Sequence, residues 1–405
     1  MLTPIPIAIK KIFENLPTLS NSEEIDIEHS LGRVISDDIF SNINMPPFNK
    51  SAVDGYAVKI SDTPGKLFIS QVVQAGSFPD RPLKNGEAAL IMTGAPIPDG
   101  TEAVVMREHT NEEKEYVEIP KKIKAGANIA FMGEDIKKGD LILKKGTRIK
   151  ISTIALLATL GIRKVKVSKT PNIAIIVTGN ELIEPGEKDI NGGYIYNANG
   201  YSLQAACREI GIEPYYIGIV KDNLKSISSA INKAGNREII LISGGVSMGD
   251  YDYVREAIEK WGGKVIFHKV AIKPGKPFLF AKKDNQIVFG MPGNPVSVMT
   301  SFWKFIKPAI YKMQGAELVF PMRFPAKFKG EYKKKSDRPH YISTKISVSK
   351  NELFAEYIKS NGSADVPAFN MGEAMIEVPQ DTTILTTGEQ VEIIPLHLPL
   401  REHER

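Results

Sequence analysis

The sequence predicts an α/β multidomain protein: a central doubly wound, mostly parallel sheet, preceded by a helical region that carries an inserted β domain and followed by a small β domain. Three observations predict it. The chain has 405 residues, more than one core usually organises, so two to four domains of roughly 100 to 200 residues are expected. From Pro171 onward, apolar runs of strand length alternate with apolar positions at helical spacing, the pattern of a parallel sheet covered by helices on both faces. Before about residue 150 and after about residue 315, short runs broken by Gly, Pro, Asn and Asp dominate instead.

Taken in order, Ile5, Ile9, Ile12, Phe13 and Leu16 form a helical stripe, after which strands are expected up to about residue 150. Residues 124–149 alternate short apolar pieces with Lys-Gly turns, as small barrels and barrel-like sandwiches do. Ser152 to Leu160 then reads as a helix, so the strand-rich piece, about 40–145, is inserted between helical ends of a region spanning 1–169. Residues 170–312 make the central domain. Ile173 to Val177 is a β-branched strand; Leu203, Ala206, Cys207 and Ile210 mark a helix that stops at Gly211. Tyr215 to Val220 and Ile239 to Ser243 are strands, each followed by a helical stripe: Leu224, Ile227 and Ile231, then Val254, Ala257, Ile258 and Trp261. Val265 to Val270, Phe278 to Ala281 and Ile287 to Phe289 are further strands, and Val298, Phe302, Phe305 and Ile306 form a last helix before Pro308. Residues 313–405 hold only short strand-like runs.

Composition excludes several classes. Hydrophobic residues at 42% and charged residues at 24% are ordinary for a chain that folds throughout. Cys207 is the single cysteine, so there is no intramolecular disulfide framework and no cysteine-rich metal site, which fits a reducing, cytoplasmic location. The 52 basic and 47 acidic residues leave +5, too small and scattered for nucleic-acid binding, and the run Lys333, Lys334, Lys335 reads as a solvated loop. The six histidines lack both i,i+4 pairing and an HExxH motif, which argues against a histidine-built metal site. The longest apolar segment, Ile151 to Ile162, is shorter than the roughly 20 residues needed to span a bilayer, so no membrane role is expected.

Ligands of open parallel sheets bind beyond the carboxyl ends of the strands. The loops there are TGNE (Thr178 to Glu181), KDN (Lys221 to Asn223), SGGVSMGDYD (Ser243 to Asp252) and GMPGNP (Gly290 to Pro295). Gly244 and Gly245 bare the backbone N–H groups where a strand turns into a helix, with Ser243, Ser247 and Gly249 beside them, an arrangement suited to phosphate. Two glycines alone would be better explained by a tight turn; it is Ser243, Ser247 and Gly249 in register that favour phosphate. Asn294 can cap the next helix and Pro295 can open it. In AIKPGKPF, Lys273 and Lys276 flank a Pro-Gly turn and can attract a phosphate or oxyanion. Glu181, Asp222 and Asp252 share the same set of loops; carboxylates facing a polyphosphate suggest an intervening magnesium ion, with Asp250 competing for Asp252's place. Upstream, Asp54-Gly55 and Asp99-Gly100 are good turn dipeptides, but a turn does not explain Asp54 after Ser51, or Thr93 before a rigid loop.

The strings SAVDGY, TGAPIPDG, GEDI, TGNEL, SGGVSMGDYD, KPGKP and GMPGNP, in this order, resemble the molybdopterin molybdenumtransferase family: bacterial and archaeal MoeA and the E domain of gephyrin. The resemblance runs from about residue 5 to 395. It implies a helical linker region, an inserted β domain, a central domain akin to molybdopterin adenylyltransferases, a C-terminal β-barrel and a homodimer. It also implies an activity: molybdate insertion into adenylylated molybdopterin, with magnesium and release of AMP. Carried over position by position, it assigns catalysis to Asp54, Thr93, Glu181, Asp222 and Asp252, and magnesium to Glu181, Asp252, Asp222 and Asp135. Substrate binding falls to Ser243, Gly244, Gly245, Ser247, Lys273, Lys276, Pro292, Gly293, Asn294 and Pro295. The oxyanion falls to Lys273, Lys276, Arg338 and Ser363, with Asp54 and Thr93 contributed by the partner subunit. Arg338 follows Asp337 where the family has glycine, and Ser363 lies in SNGSADVPAFN, where the usual second serine is replaced by Val366 or Pro367. Two other readings remain: the molybdopterin adenylyltransferase itself, also a candidate partner, and a non-catalytic scaffold of the gephyrin type. The sequence does not choose between molybdate and tungstate.

Overall fold

The computed structural model describes residues 2–17, 19, 22–187, 189–190, 192–246, 253–334 and 336–396. The chain divides into two compact units, one of residues 38–144 with 155–163, the other of residues 1–37, 145–154 and 164–405. The larger unit begins with helix α1 (Ile5–Glu14), which has proline in its first turn and buries Ile5, Ala8 and Ile12. Residues Ser22–Asp26 then pair antiparallel with Lys164–Ser168.

The smaller unit holds a six-stranded sheet built from β1 (Gly55–Val58), β2 (Gly65–Val73), β3 (Glu87–Ile91), β4 (Ala103–Met106), β5 (Asn111–Glu112) and β6 (Tyr116–Ile119), in the order β4-β1-β3-β2-β6-β5. Every residue of β1 is buried. Gly55 belongs to this strand rather than to a turn: a Cβ there would lie 1.9 Å from the Val105 carbonyl oxygen, so strand packing demands the glycine. The barrel-like expectation for residues 124–149 fails. That stretch gives Ile129–Ala130, paired with Lys50–Ser51, Leu141–Leu143, paired with Ile39–Phe40, and single bridges from Ile136 to Met45 and from Arg148 to Val34. Runs of two or three residues between glycine turns are too short to carry a ladder on both edges, and the sheet is drawn from residues 55–119 instead.

Helix α2 (Ile151–Thr159) precedes the central sheet of the larger unit. Its elements are β7 (Ile173–Thr178), α3 (Ala198–Glu209), β8 (Tyr215–Val220), α4 (Leu224–Lys233), β9 (Ile239–Ser243), α5 (Tyr253–Lys260), β10 (Lys264–His268), β11 (Leu279–Lys283) and β12 (Gln286–Met291). The order is β8-β7-β9-β12-β11-β10, with the first four strands and β10 running in one direction and β11 antiparallel between β12 and β10. Side chains alternate faces along each strand. Ile175, Val177, Leu241 and Phe289 pack with Leu203 and Cys207 of α3. Ala174, Ile176, Ile240 and Val288 pack with Ile231, Val254 and Ile258 of α4 and α5 on the other face. Two covered faces explain why these strands read as unbroken apolar runs. Burial pushes the Cys207 thiol up to about 12, so it stays protonated and inert.

The last helix does not stop at Pro308. It runs as α6 (Pro295–Ser301), a π turn (Phe302–Ile306) and α7 (Lys307–Met313), with Pro308 in the first turn of α7. The π turn changes the hydrogen-bond register just before the proline, whose missing N–H then falls where none is needed, and the burial of Phe302, Phe305 and Ile306 holds the segment together.

A closed five-stranded barrel ends the chain: β13 (Phe324–Lys329), β14 (His340–Ser349), β15 (Glu352–Tyr357), β16 (Ala374–Val378) and β17 (Gln390–Pro395), in the order β13-β15-β14-β16-β17. Closure leaves no free edge, and Phe328, Ile342, Ala355, Ile376 and Ile393 fill the interior. At ten residues β14 exceeds the short runs expected, and a helix at Val366–Asn370, capped by Asp365, was not foreseen. No described helix is long and apolar enough to cross a membrane.

Candidate active site

The carboxyl ends of β7, β9 and β12 converge. Gly244 donates its N–H to the Met291 carbonyl at 3.0 Å, and Gly179 donates to the Val220 carbonyl at 3.3 Å. Gly244 has φ +95° and its Cβ would sit 2.1 Å from the Thr178 carbonyl oxygen, so this glycine is fixed by the turn itself. Gly245 faces Asp222: a Cβ there would meet its Oδ1 at 3.0 Å. Asp222 accepts from the buried Thr178 hydroxyl at 3.2 Å, and its own N–H donates to Asn180 at 3.1 Å. Glu181, exposed, lies beside Gly179 in the next loop. These are hard oxygen donors of the kind that magnesium takes together with substrate phosphates and water, so their chemistry fits that ion. Among the described residues, no group of three His, Cys, Asp or Glu side chains forms a metal cluster. Ser247, Asp252 and their neighbours Gly249 and Asp250 lie outside the described residues.

Gly293 differs from Gly244. It is exposed, its φ is not in the left-handed region, and a Cβ there would touch none of the described residues within 4 Å. Neither fold nor space requires it. Pro295 opens α6 as expected, but Asn294, although at the cap position, makes no side-chain cap bond. Its Nδ2 donates instead to the Ser363 hydroxyl at 2.7 Å, while Val296 donates its N–H to the Ser363 carbonyl at 3.1 Å.

Lys273, Lys276, Pro292, Asn294, Arg338 and Ser363 line one cavity of about 960 Å³. Residues 338–341 are brought to it by a backbone bridge between Lys273 and His340: the Lys273 N–H donates to Pro339 at 2.9 Å and Tyr341 donates to the Lys273 carbonyl at 2.7 Å. The Arg338 guanidinium donates to the Ile272 carbonyl at 3.0 Å and stands 3.9 Å from the exposed Asp337 carboxylate. Part of its donor capacity is therefore already used. A smaller cavity of about 510 Å³ is lined by Trp303, Lys304, Phe320, Arg323 and Tyr341. There Glu377 binds Lys304 at 3.2 Å and Arg323 at 2.6 Å, so the charge is answered internally.

Asp54, Thr93 and Asp135 belong to the smaller unit. Asp54 Oδ1 accepts from both the N–H and the hydroxyl of Thr93, each at 2.6 Å. Those two bonds, with Arg107 nearby, hold the exposed carboxyl below the usual range. Asp135 is exposed and donates its N–H to Met45 at 3.0 Å.

Two residues at the larger unit's site escaped the sequence reading. Asn199 joins Ser243 and Gly293 by hydrogen bonds. His340 lines the larger cavity and bonds through Nδ1 to the Tyr332 hydroxyl. Burial first, then the charges of Lys273, Arg338 and Lys334, push the His340 imidazole down to about 4. Asn199 carried one usable signal, its place in the loop ahead of a predicted helix. His340 carried none, because only the barrel brings it to Lys273.

A parallel sheet with a glycine turn at its carboxyl edge, next to a cleft lined by lysine and arginine, defines an α/β protein built to hold phosphorylated or oxyanionic ligands. Comparison with known proteins narrows this. Residues 3–161 match the MoeA N-terminal region (domains I and II), residues 174–312 the family described as "Probable molybdopterin binding domain", and residues 325–396 the MoeA C-terminal region (domain IV). The chain is 34% identical over 402 residues to a molybdopterin molybdenumtransferase of Staphylococcus epidermidis, covering 97% of this chain and 96% of the relative. It is 34% identical to one from Haemophilus influenzae, covering 96% and 98%. A crystal structure of a molybdopterin biosynthesis MoeA protein from Pyrococcus horikoshii OT3 superposes with a TM-score of 0.84 at 32% identity, covering 98% of this chain and 100% of that one. The chain belongs to the molybdopterin molybdenumtransferase (MoeA) family.

Proposed function

We propose that the protein inserts molybdate into adenylylated molybdopterin and releases AMP, completing a molybdenum cofactor. The observation that carries this reading is one cavity lined by Lys273, Lys276 and Arg338 together with Pro292 and Asn294, which supports an oxyanion pocket beside the sheet edge. Gly245 offers backbone to phosphate oxygens, while Gly244, its N–H bonded to the Met291 carbonyl, and the fully buried Ser243 shape the turn that presents it. Gly293 admits the ligand where a side chain would stand in the way. The cations draw a dianion into a cleft already facing phosphate, which needs several fixed positive charges. In the reaction, the bond between the adenylyl phosphorus and the bridging oxygen breaks with attack by a water oxygen. AMP departs, the pterin keeps its own phosphate, and the two dithiolene sulfurs displace an oxygen of molybdate, which leaves as water with the two protons the thiols give up, the metal keeping its oxidation state. No covalent intermediate with the enzyme is required.

Magnesium would be held by Glu181 and Asp222, with Asp252 and Asp135 as further candidates, and when bound it neutralises charge on the pyrophosphate. Asp54 and Thr93 act from the partner subunit of a homodimer, the Thr93 hydrogen bonds keeping Asp54 ionised and oriented. The enzyme works in the cytoplasm and receives its substrate from a molybdopterin adenylyltransferase. Matches along the whole chain favour this reading over the adenylyltransferase, to which only residues 171–312 are akin, and over a scaffold.

The test is incubation of the purified protein with adenylylated molybdopterin, magnesium and either molybdate or tungstate. AMP release that depends on the oxyanion, with metal appearing on the pterin, is the expected result. Adenylylation of molybdopterin from ATP would favour the adenylyltransferase, and no turnover with either oxyanion would favour the scaffold.

A further inference from the structure

We propose that Asn199 is a positioning residue of the substrate site. It fastens the Ser243–Gly245 turn to the Pro292–Pro295 turn and sets the spacing between the two backbone walls that grip the adenylylated pterin. The inference rests on the reading of the sheet edge given above.

Asn199 is the second residue of α3 and is 6% exposed. Its amide nitrogen donates to the Ser243 hydroxyl at 2.9 Å and to the Gly293 carbonyl at 2.6 Å. Ser243, fully buried, passes its own hydroxyl proton toward the Pro292 carbonyl at 3.4 Å. One carboxamide thus ties the last residue of β9 to the loop after β12. Reversing the amide would set two acceptor oxygens 2.6 Å apart at Gly293, so the hydrogen-bond pattern fixes its orientation.

Helix start does not explain the residue. Asn197 already caps α3 by accepting from the Gly200 N–H at 2.9 Å. Packing does not explain it either, because Asn199 Oδ1 is buried without a partner among the described residues, a cost that an alanine or leucine would avoid. What asparagine supplies here is a fork of two donors on a short, rigid stem, able to hold two acceptors on different loops at once. Gly293 needs such a hold, since none of the described residues packs where its side chain would be.

The test compares Asn199→Ala, Ser243→Ala and the double variant, with adenylylated molybdopterin and molybdate varied separately and AMP release followed. Asn199→Ala should raise KM for the adenylylated pterin about tenfold to a hundredfold and leave the half-saturating molybdate concentration within about twofold. Ser243→Ala should raise the same KM by less, and the double variant should be no worse than Asn199→Ala, because both side chains act through one clasp. An unchanged pterin KM in Asn199→Ala, additive effects in the double variant, or an equal loss toward both substrates would overturn the proposal. Where Asn199→Ala does not fold, Ser243→Ala decides alone, and an unchanged KM there overturns it. Lys273→Ala, run in parallel, separates the two failures: if its molybdate dependence is also unchanged, the reading of the cleft itself is wrong.

Discussion

The sheet edge and the oxyanion cleft lie next to each other but are built in different ways. At the edge, the proposed binding is by backbone: Gly244 is locked by its φ of +95° and by the Thr178 carbonyl, and Ser243 is fully buried. In the cleft, the proposed binding is by side chains: the ammonium of Lys276 is on an exposed residue, Lys273 and Arg338 are half-buried, and their meeting depends on a bridge between residues 273 and 340. A backbone site tolerates almost no substitution, whereas a side-chain site degrades one charge at a time. The difference predicts two kinds of mutational behaviour.

The sharpest contrast comes from Gly244→Ala. A Cβ would meet the Thr178 carbonyl oxygen at 2.1 Å in a conformation that L side chains rarely adopt, at a cost of at least about 1 to 3 kcal/mol. Melting temperature and AMP release should both fall, the latter by more than about a hundredfold. Retention of both would show that the edge is not fixed by backbone.

His340 links the cleft to stability. In the folded protein it titrates at about 4, against 6.5 in an open chain. Below pH 6.5 the unfolded chain therefore takes up a proton that the folded protein refuses, so stability falls as pH drops from 6.5 to 4 and levels off below. The loss amounts to something on the order of 3 kcal/mol. Urea unfolding of wild type and His340→Gln at pH 7 and 4.5 checks it: the variant should lose that much less on acidification, and parallel losses would show that His340 is not held neutral.

Gly293→Ala breaks the comparison from inside the edge. With no described neighbour within 4 Å of the added methyl, stability should stay within about 0.5 kcal/mol of wild type, while KM for the adenylylated pterin rises about tenfold. An unaffected KM would mean that the substrate does not approach this turn.

Much of this organisation was legible. The β-branched run Ile173 to Val177 and the stripes at Ile227 and Val254 announced a sheet covered on both faces, because alternate residues of one strand had to satisfy two different cores. Gly244 and Gly245 were legible for the same local reason, since a turn leaves its mark within a few residues. What failed depended on distant partners. Gly55 read as a turn glycine because Val105, 50 residues further on, was not visible as its neighbour. Asn294 read as a cap because Ser363 was not visible as its acceptor. Pro308 read as a stop because the aromatic packing that carries the helix through a π turn is tertiary.

Arg338→Ala should have the smallest effect. Its guanidinium already donates to the Ile272 carbonyl and lies near Asp337, so the half-saturating molybdate concentration should rise only about threefold to tenfold. A change beyond a hundredfold would make Arg338 the dominant oxyanion contact and reverse the ranking against the lysines.

The claim that one cleft holds two separable sites is tested most directly by measuring equilibrium binding of adenylylated molybdopterin and of molybdate, each alone, to wild type and to the Lys273→Ala, Lys276→Ala double variant. Losing charged hydrogen bonds worth roughly 1.5 to 3 kcal/mol each should weaken molybdate binding by at least about a hundredfold. Affinity for the adenylylated pterin should stay within about threefold of wild type, because the sheet-edge turns that grip it are untouched. Equal weakening toward both ligands, or molybdate binding unchanged, would contradict the division.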